Sequence, residues 1–167
     1  NGNAFASSTH DGAEATKAFA LDPLPRWQIA AGDVRLERVI FALHGGSGRG
    51  RAFIWSWLAA ARTRGAILVA PSSLGQTWAI QGADQDTPHL THILTFIRNK
   101  WAIDPTRILL TGMSDGGTFT YTSGLEPASP FTHLAPVAAA FHPMLVQMAS
   151  EARLNALPIH IIHGARD

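Results

Sequence analysis

Arg107-Ile-Leu-Leu-Thr111-Gly112-Met113-Ser114-Asp115-Gly116-Gly117 is the stretch on which the reading of this chain turns. Its apolar run, Ile108 to Thr111, is too short for a stable helix and has the composition of a buried strand. That strand leads directly into G-x-S-x-G and then into a predicted helix. Small residues two before and two after Ser114 permit a strained turn, which lifts the hydroxyl above the edge of a sheet. A helix starting at Asp115 aims its free N–H groups and the positive end of its dipole at the same place. A bare G-x-S-x-G arises often by chance, so the weight lies in its position between strand and helix. The plainer alternative is a glycine-rich connection with a surface serine.

The same grammar extends to both sides. Short Ile-, Val- and Leu-rich runs at Val39 to Leu43, Ala66 to Ala70, Val137 to Phe141 and Ile159 to Ile162 read as further buried parallel strands, with an edge strand near Lys17 to Leu21. Between them, Ile54, Trp57, Leu58 and Ala61 keep helical spacing, as do Leu90, Ile93, Leu94, Ile97 and Trp101. A further helix is expected around Met144 to Asn155. Strands alternating with helices imply an α/β chain: a mostly parallel central sheet with helices on both faces. The expected organisation is one domain over residues 1–167, with residues 1–20 as a polar arm and edge strand.

Two more strand ends carry chemistry. Val39-Ile-Phe-Ala-Leu43-His44-Gly45-Gly46-Ser47-Gly48 is a buried strand opening into a glycine loop, where backbone N–H groups can approach a developing oxyanion. A phosphate loop is the competing reading. It lacks a Gly-Lys-Ser/Thr ending, G-x-G-x-x-G fails at Arg51, and Ala70-Pro71-Ser72 offers no ribose-binding acid. At Pro158-Ile-His-Ile-Ile162-His163-Gly164-Ala165-Arg166-Asp167 a strand is followed by a glycine turn and a carboxylate. Alone, that acid is an ordinary turn residue; after Ser114 it stands where the order Ser, Asp, His expects an acid.

Taken in order, Leu43-His44-Gly45-Gly46, Gly112-Met113-Ser114-Asp115-Gly116-Gly117 and His163-Gly164-Ala165-Arg166-Asp167 resemble the α/β-hydrolase fold from about residue 33 onward. More narrowly, the chain resembles the phospholipase/carboxylesterase and polyhydroxybutyrate-depolymerase-like serine esterases. The resemblance implies a serine hydrolase cleaving carboxylic esters through an acyl-enzyme, with Ser114 as nucleophile and Asp167 as triad acid. It implies oxyanion donors at the amides of Asp115 and Gly46, with Ser47 as an alternative to Gly46. It also places the catalytic His after the acid, on a C-terminal segment expected to be missing from this chain or carried by a second chain. His142 could substitute, or instead line the acyl pocket or cap a strand. Thioesterase, peptidase and non-catalytic binding readings use the same fold and stay open.

Other residues have plainer readings. His44 is expected to shape the oxyanion loop or meet substrate, and Trp78, in the loop after the strand at 66–70, divides evenly between core packing and substrate contact. His89 and His92 share a helix face without a third ligand. His160 and His163 read as satisfied core or turn histidines, Asp84 and Asp86 as stabilisers of a helix N-terminus, and Arg107 as a local ion-pair partner. Trp55 falls off the apolar stripe.

Composition narrows the partners. Of 167 residues, 46% are hydrophobic and 15% charged, and 13 Lys plus Arg against 12 Asp plus Glu leave a net charge of +1. Without a basic block there is no footprint for nucleic acid. No apolar run is long enough to span a bilayer. With no cysteine, disulfides and thiolate chemistry are excluded while the compartment is left open. The expected partner is a small-molecule or polymeric ester, with no cofactor or metal implied.

Overall fold

A computed structural model describes residues 18–19 and 37–165. The polar arm expected at the N-terminus lies outside these described residues. Strands β1 (Ala18–Phe19), β2 (Glu37–Leu43), β3 (Ala66–Val69), β4 (Ile103–Met113) and β5 (His133–Val137) form one sheet in the order β1-β3-β2-β4-β5. β1 pairs antiparallel with β3, and every other named pairing is parallel.

β2 shows why its sequence has no polar interruption. Val39, Phe41 and Leu43 enter the core on one face of the sheet and Ile40 and Ala42 enter it on the other, as a strand covered on both sides requires. Helix α1 (Gly50–Arg64) covers the Ile40 face with Ile54 and Ala61, and Trp57 and Leu58 are partly buried beside them. α1 stops at Gly65, whose φ of 57° is the left-handed cap that lets its N–H reach the last-turn carbonyls of Ala61 and Arg62. On the Phe41 face, α2 (Asp86–Arg98) contributes Leu90, Ile93, Leu94 and Ile97, all buried, and α3 (Asp115–Leu125) contributes Phe119, Tyr121 and Leu125. Helices on both faces of a mostly parallel sheet are therefore observed, as expected.

Four local expectations need correction. The strand expected at Val137 to Phe141 lies earlier, at His133–Val137, where it pairs with β4 from Leu109↔His133 to Met113↔Val137. The apolar run continues past Val137, but Ala138 turns out of the sheet with φ 45° and Phe141 is exposed. The run at Ile159 to Ile162 forms isolated parallel bridges to Leu134 and Val137, and Ile159, Ile161 and Ile162 are exposed rather than buried. His160 and His163 are exposed rather than in the core, and His163 Nε2 lies 3.3 Å from Ala139 O. The helix expected around Met144 to Asn155 is two short ones, α4 (Met144–Met148) and α5 (Glu151–Ala156). The break comes at Ala149, which is extended, and at Ser150, whose hydroxyl accepts from Arg153 N and caps α5.

The Asp104-Pro105-Thr106-Arg107 turn is part of an irregular start to β4, where pairing steps from Glu37↔Ile103 to Val39↔Ile108. Arg107 does pair locally, its Nε 3.2 Å from Asp104. Among the described residues no helix is long and apolar enough to cross a membrane.

Candidate active site

β4 ends at Met113, α3 begins at Asp115, and Ser114 alone makes the turn between them. Its φ of 54° and ψ of −119° lie where a residue with a side chain rarely sits, a conformation that costs roughly 1–3 kcal/mol. Serine at a helix N-cap normally uses its hydroxyl on a first-turn N–H, but the Ser114 side chain makes no such bond. The residue is exposed. The backbone on either side is held: Ser114 N donates to Val137 O at 2.9 Å, and Thr118 N donates to Ser114 O at 2.8 Å.

The flanking glycines make this turn possible by close approach. A Cβ on Gly112 would strike the Gly116 carbonyl, and one on Gly116 would strike the His44 carbonyl and come within 2.6 Å of the Leu43 carbonyl. The first turn of α3 thus rests directly on the backbone where β2 ends.

That contact puts the second glycine loop beside Ser114. A Cβ on Gly45 would lie 3.6 Å from the Ser114 Cβ, and Gly48 N closes the loop on Gly45 O at 3.0 Å. Ser47 has φ 56° and, like Gly46, is exposed. Among the described residues no acceptor is found for the Gly46 N–H. The Asp115 N–H is a first-turn amide without an intrahelical partner. Ser114 and Asp115 after β4 therefore meet the Gly45–Gly46 loop after β2 at the carboxyl ends of two neighbouring strands.

Of the residues named for substrate contact, His44 and Trp78 are buried and His142 is exposed. His44 is 1% exposed; its Nδ1 is 2.7 Å from Gly45 O and its Nε2 accepts from Ser73 N at 3.1 Å. This pattern assigns the proton to Nδ1. Burial pushes the His44 pKa below the ordinary imidazole value, against the opposing pull of the Gly45 bond. Both ring nitrogens are occupied, which leaves the loop-shaping role. Trp78, 2% exposed, donates its indole N–H to His44 O at 2.8 Å and stacks on Phe119 at 5.5 Å. It packs beneath the loop instead of facing a ligand. His142 is exposed and its Nδ1 accepts from Met144 N at 3.2 Å, at the start of α4. Asp167 lies outside the described residues.

Two side chains carry more than their sequence suggested. Asp84 caps α2 as expected, accepting from Asp86 N and Thr87 N. Asp86, 2% exposed, instead reaches back to bind Leu74 N at 2.9 Å and Ala79 N at 2.8 Å. It pins the segment 71–85 that joins β3 to α2. From that segment Thr77 donates its hydroxyl to Asp115 Oδ2 at 2.7 Å. No sequence signal marks such a contact, because the partners are 38 residues apart. His89 and His92 gain no third ligand: among the described residues no group of three or more His, Cys, Asp or Glu could hold a metal.

No protein-family model matches the chain. It is 33% identical over 113 residues to the bifunctional acetylxylan esterase/xylanase XynS20E of Neocallimastix patriciarum, a match covering 66% of this chain and 16% of that protein. Among solved structures it resembles a thermostable esterase (TM-score 0.65, 15% identity, 98% of this chain and 55% of that one). It also resembles the acetyl xylan esterase of Aspergillus awamori (TM-score 0.55, 17% identity, 71% of this chain and 46% of that one). The chain thus spans about half the length of these solved structures and a much smaller part of the curated relative.

Proposed function

We propose that this chain, which has the α/β-hydrolase fold, carries the nucleophile of a serine hydrolase that cleaves carboxylic esters. The observation that carries the reading is Ser114 itself: strained, exposed and uncapped at the N-terminus of α3, beside the loop at Gly45. A serine kept in a costly conformation and withheld from its usual capping bond is explained by a use for its hydroxyl.

In this reading Ser114 Oγ attacks the ester carbonyl carbon, and the carbonyl oxygen becomes an oxyanion that accepts from the Asp115 and Gly46 amides, with Ser47 as the alternative second donor. One such donor is worth about 3 kcal/mol of transition-state stabilisation. The resemblance assigns the Ser114 proton to a histidine that Asp167 would orient. His44 is unsuited to that task, since Nδ1 and Nε2 are both engaged by the backbone. The proton returns to the departing alcohol, and water then cleaves the acyl-enzyme by the same route. That XynS20E and the Aspergillus awamori enzyme are both acetylxylan esterases supports an oxyester as substrate.

The test is Ser114→Ala in the full-length protein. Hydrolysis of short aryl esters is expected to fall by about 10⁴-fold or more, and an organophosphonate probe is expected to label the wild type at Ser114 and leave the variant unlabelled. Undiminished hydrolysis would discard the assignment.

A further inference from the structure

We infer that Thr77 is a positioning residue: its hydrogen bond to the Asp115 carboxylate fixes the spacing between the two backbone bends that flank Ser114. The inference rests on the serine-hydrolase reading above and adds to it a residue from a third element of the chain.

The segment 71–85 is long for a βα connection, yet it is anchored along its length. Ser73 N donates to His44 Nε2, and Leu74 N and Ala79 N donate to the buried Asp86 carboxylate. The Trp78 indole inserts beneath the loop at residues 44–48 and binds the His44 carbonyl. Between these anchors Thr77 has little freedom, and its hydroxyl meets Asp115 Oδ2 at 2.7 Å. The same carboxylate oxygen lies 2.6 Å from where a Cβ on Gly46 would be. One oxygen therefore touches both the segment that carries Thr77 and the loop that carries Gly46, while its own backbone forms the first turn of α3.

This arrangement has a chemical consequence. A carboxylate is a stronger acceptor than a carbonyl oxygen. Once released from Thr77, the Asp115 side chain is free to turn toward the Gly46 N–H, which has no acceptor among the described residues, and there its charge competes with an oxyanion for that donor. Thr77 holds the carboxylate in place by donating to it, and the absence of a Cβ at Gly46 gives it room.

The experiment compares Thr77→Val with Thr77→Ser in the full-length protein, using a short aryl ester after titrating active enzyme with an organophosphonate. Hydrogen exchange is followed in parallel over residues 44–50. Thr77→Val, which keeps the shape and removes the donor, is expected to lower kcat about tenfold with KM within about twofold, and to speed exchange over 44–50. Thr77→Ser, which keeps the donor, is expected to restore both. Wild-type kcat and exchange in Thr77→Val, or equal impairment in Thr77→Ser, would overturn the inference. If Ser114→Ala keeps its activity, the functional reading fails separately, and the inference about catalytic positioning falls with it even where the exchange difference stands.

Discussion

The two flanks of α3 sit in opposite surroundings. At its N-terminus, backbone rests on backbone: Gly116 lies against the end of β2, and buried polar groups at His44 and Asp86 hold the neighbouring loops. Toward its C-terminus, Tyr121 and Leu125 look onto a cavity of about 630 Å³ lined also by Phe141, Val146, Leu154 and Ile161. Phe141 is 48% and Ile161 59% exposed there, and α5 has no buried residue. This second flank is held by Leu145, Ala149 and Leu154 packing against the core and by the Arg153 guanidinium, which donates to Gly124 O at 2.7 Å and to Phe131 O at 2.6 Å. The contrast teaches where the fold concentrates precision. Around Ser114 the backbone at Gly112, Ser114 and Gly116 is fixed by close approach and hydrogen bonds, whereas the far flank presents apolar side chains at the surface of the described residues.

Gly116→Ala should break the first region outright. Its methyl group would meet main-chain atoms of Leu43 and His44 that cannot rotate aside, so the expected loss is about 3 kcal/mol or more, read by urea denaturation. A loss under about 1 kcal/mol would mean that the glycine contact does not hold α3 against β2.

A milder test acts through pH. His44 has its pKa depressed by burial below the ordinary value of 6.5. The unfolded chain therefore takes up the proton first as pH falls. Stability is complete above about 6.5 and is lost as pH drops through the lower folded-state value. Protonation also removes Nε2 as the acceptor for Ser73 N. Unfolding free energy measured from pH 7.5 to 5 should decline more steeply in the wild type than in His44→Gln. Parallel slopes would show that the buried imidazole does not brace the loop.

The smallest change is expected on the open flank. Ile161→Ser in the chain of residues 1–167 should alter stability by about 0.5 kcal/mol or less, as exposed substitutions do, while reducing the binding of a hydrophobic dye. A cost near 2 kcal/mol would show that this surface is covered, and the contrast between the flanks would weaken.

Local patterning was most legible where it coincides with burial. The Ile, Val and Leu runs at β2, β3 and β4 and the stripe from Leu90 to Ile97 were readable because each side chain there faces the core it was expected to face. Reading failed where an apolar run continues past the hydrogen bonding that defines a strand, as after Val137, or where a cap interrupts a helical stripe, as at Ser150. The strand-to-helix turn at Ser114 was legible because a tight turn leaves a glycine signature. The parts played by Thr77 and Asp86 were not, since each depends on a single contact with a distant segment.

By itself, the sequence determined the alternation of strands and helices and the location of a serine at a strand-to-helix turn, because periodicity and glycine spacing are local properties of the chain. The tertiary structure alone decided which segments meet at that serine and that Trp78 and His44 face inward. It also decided that one aspartate, Asp115, bridges three separate elements. Those outcomes follow from sheet order and from which polar groups must find partners away from water, and neither is written at any single position.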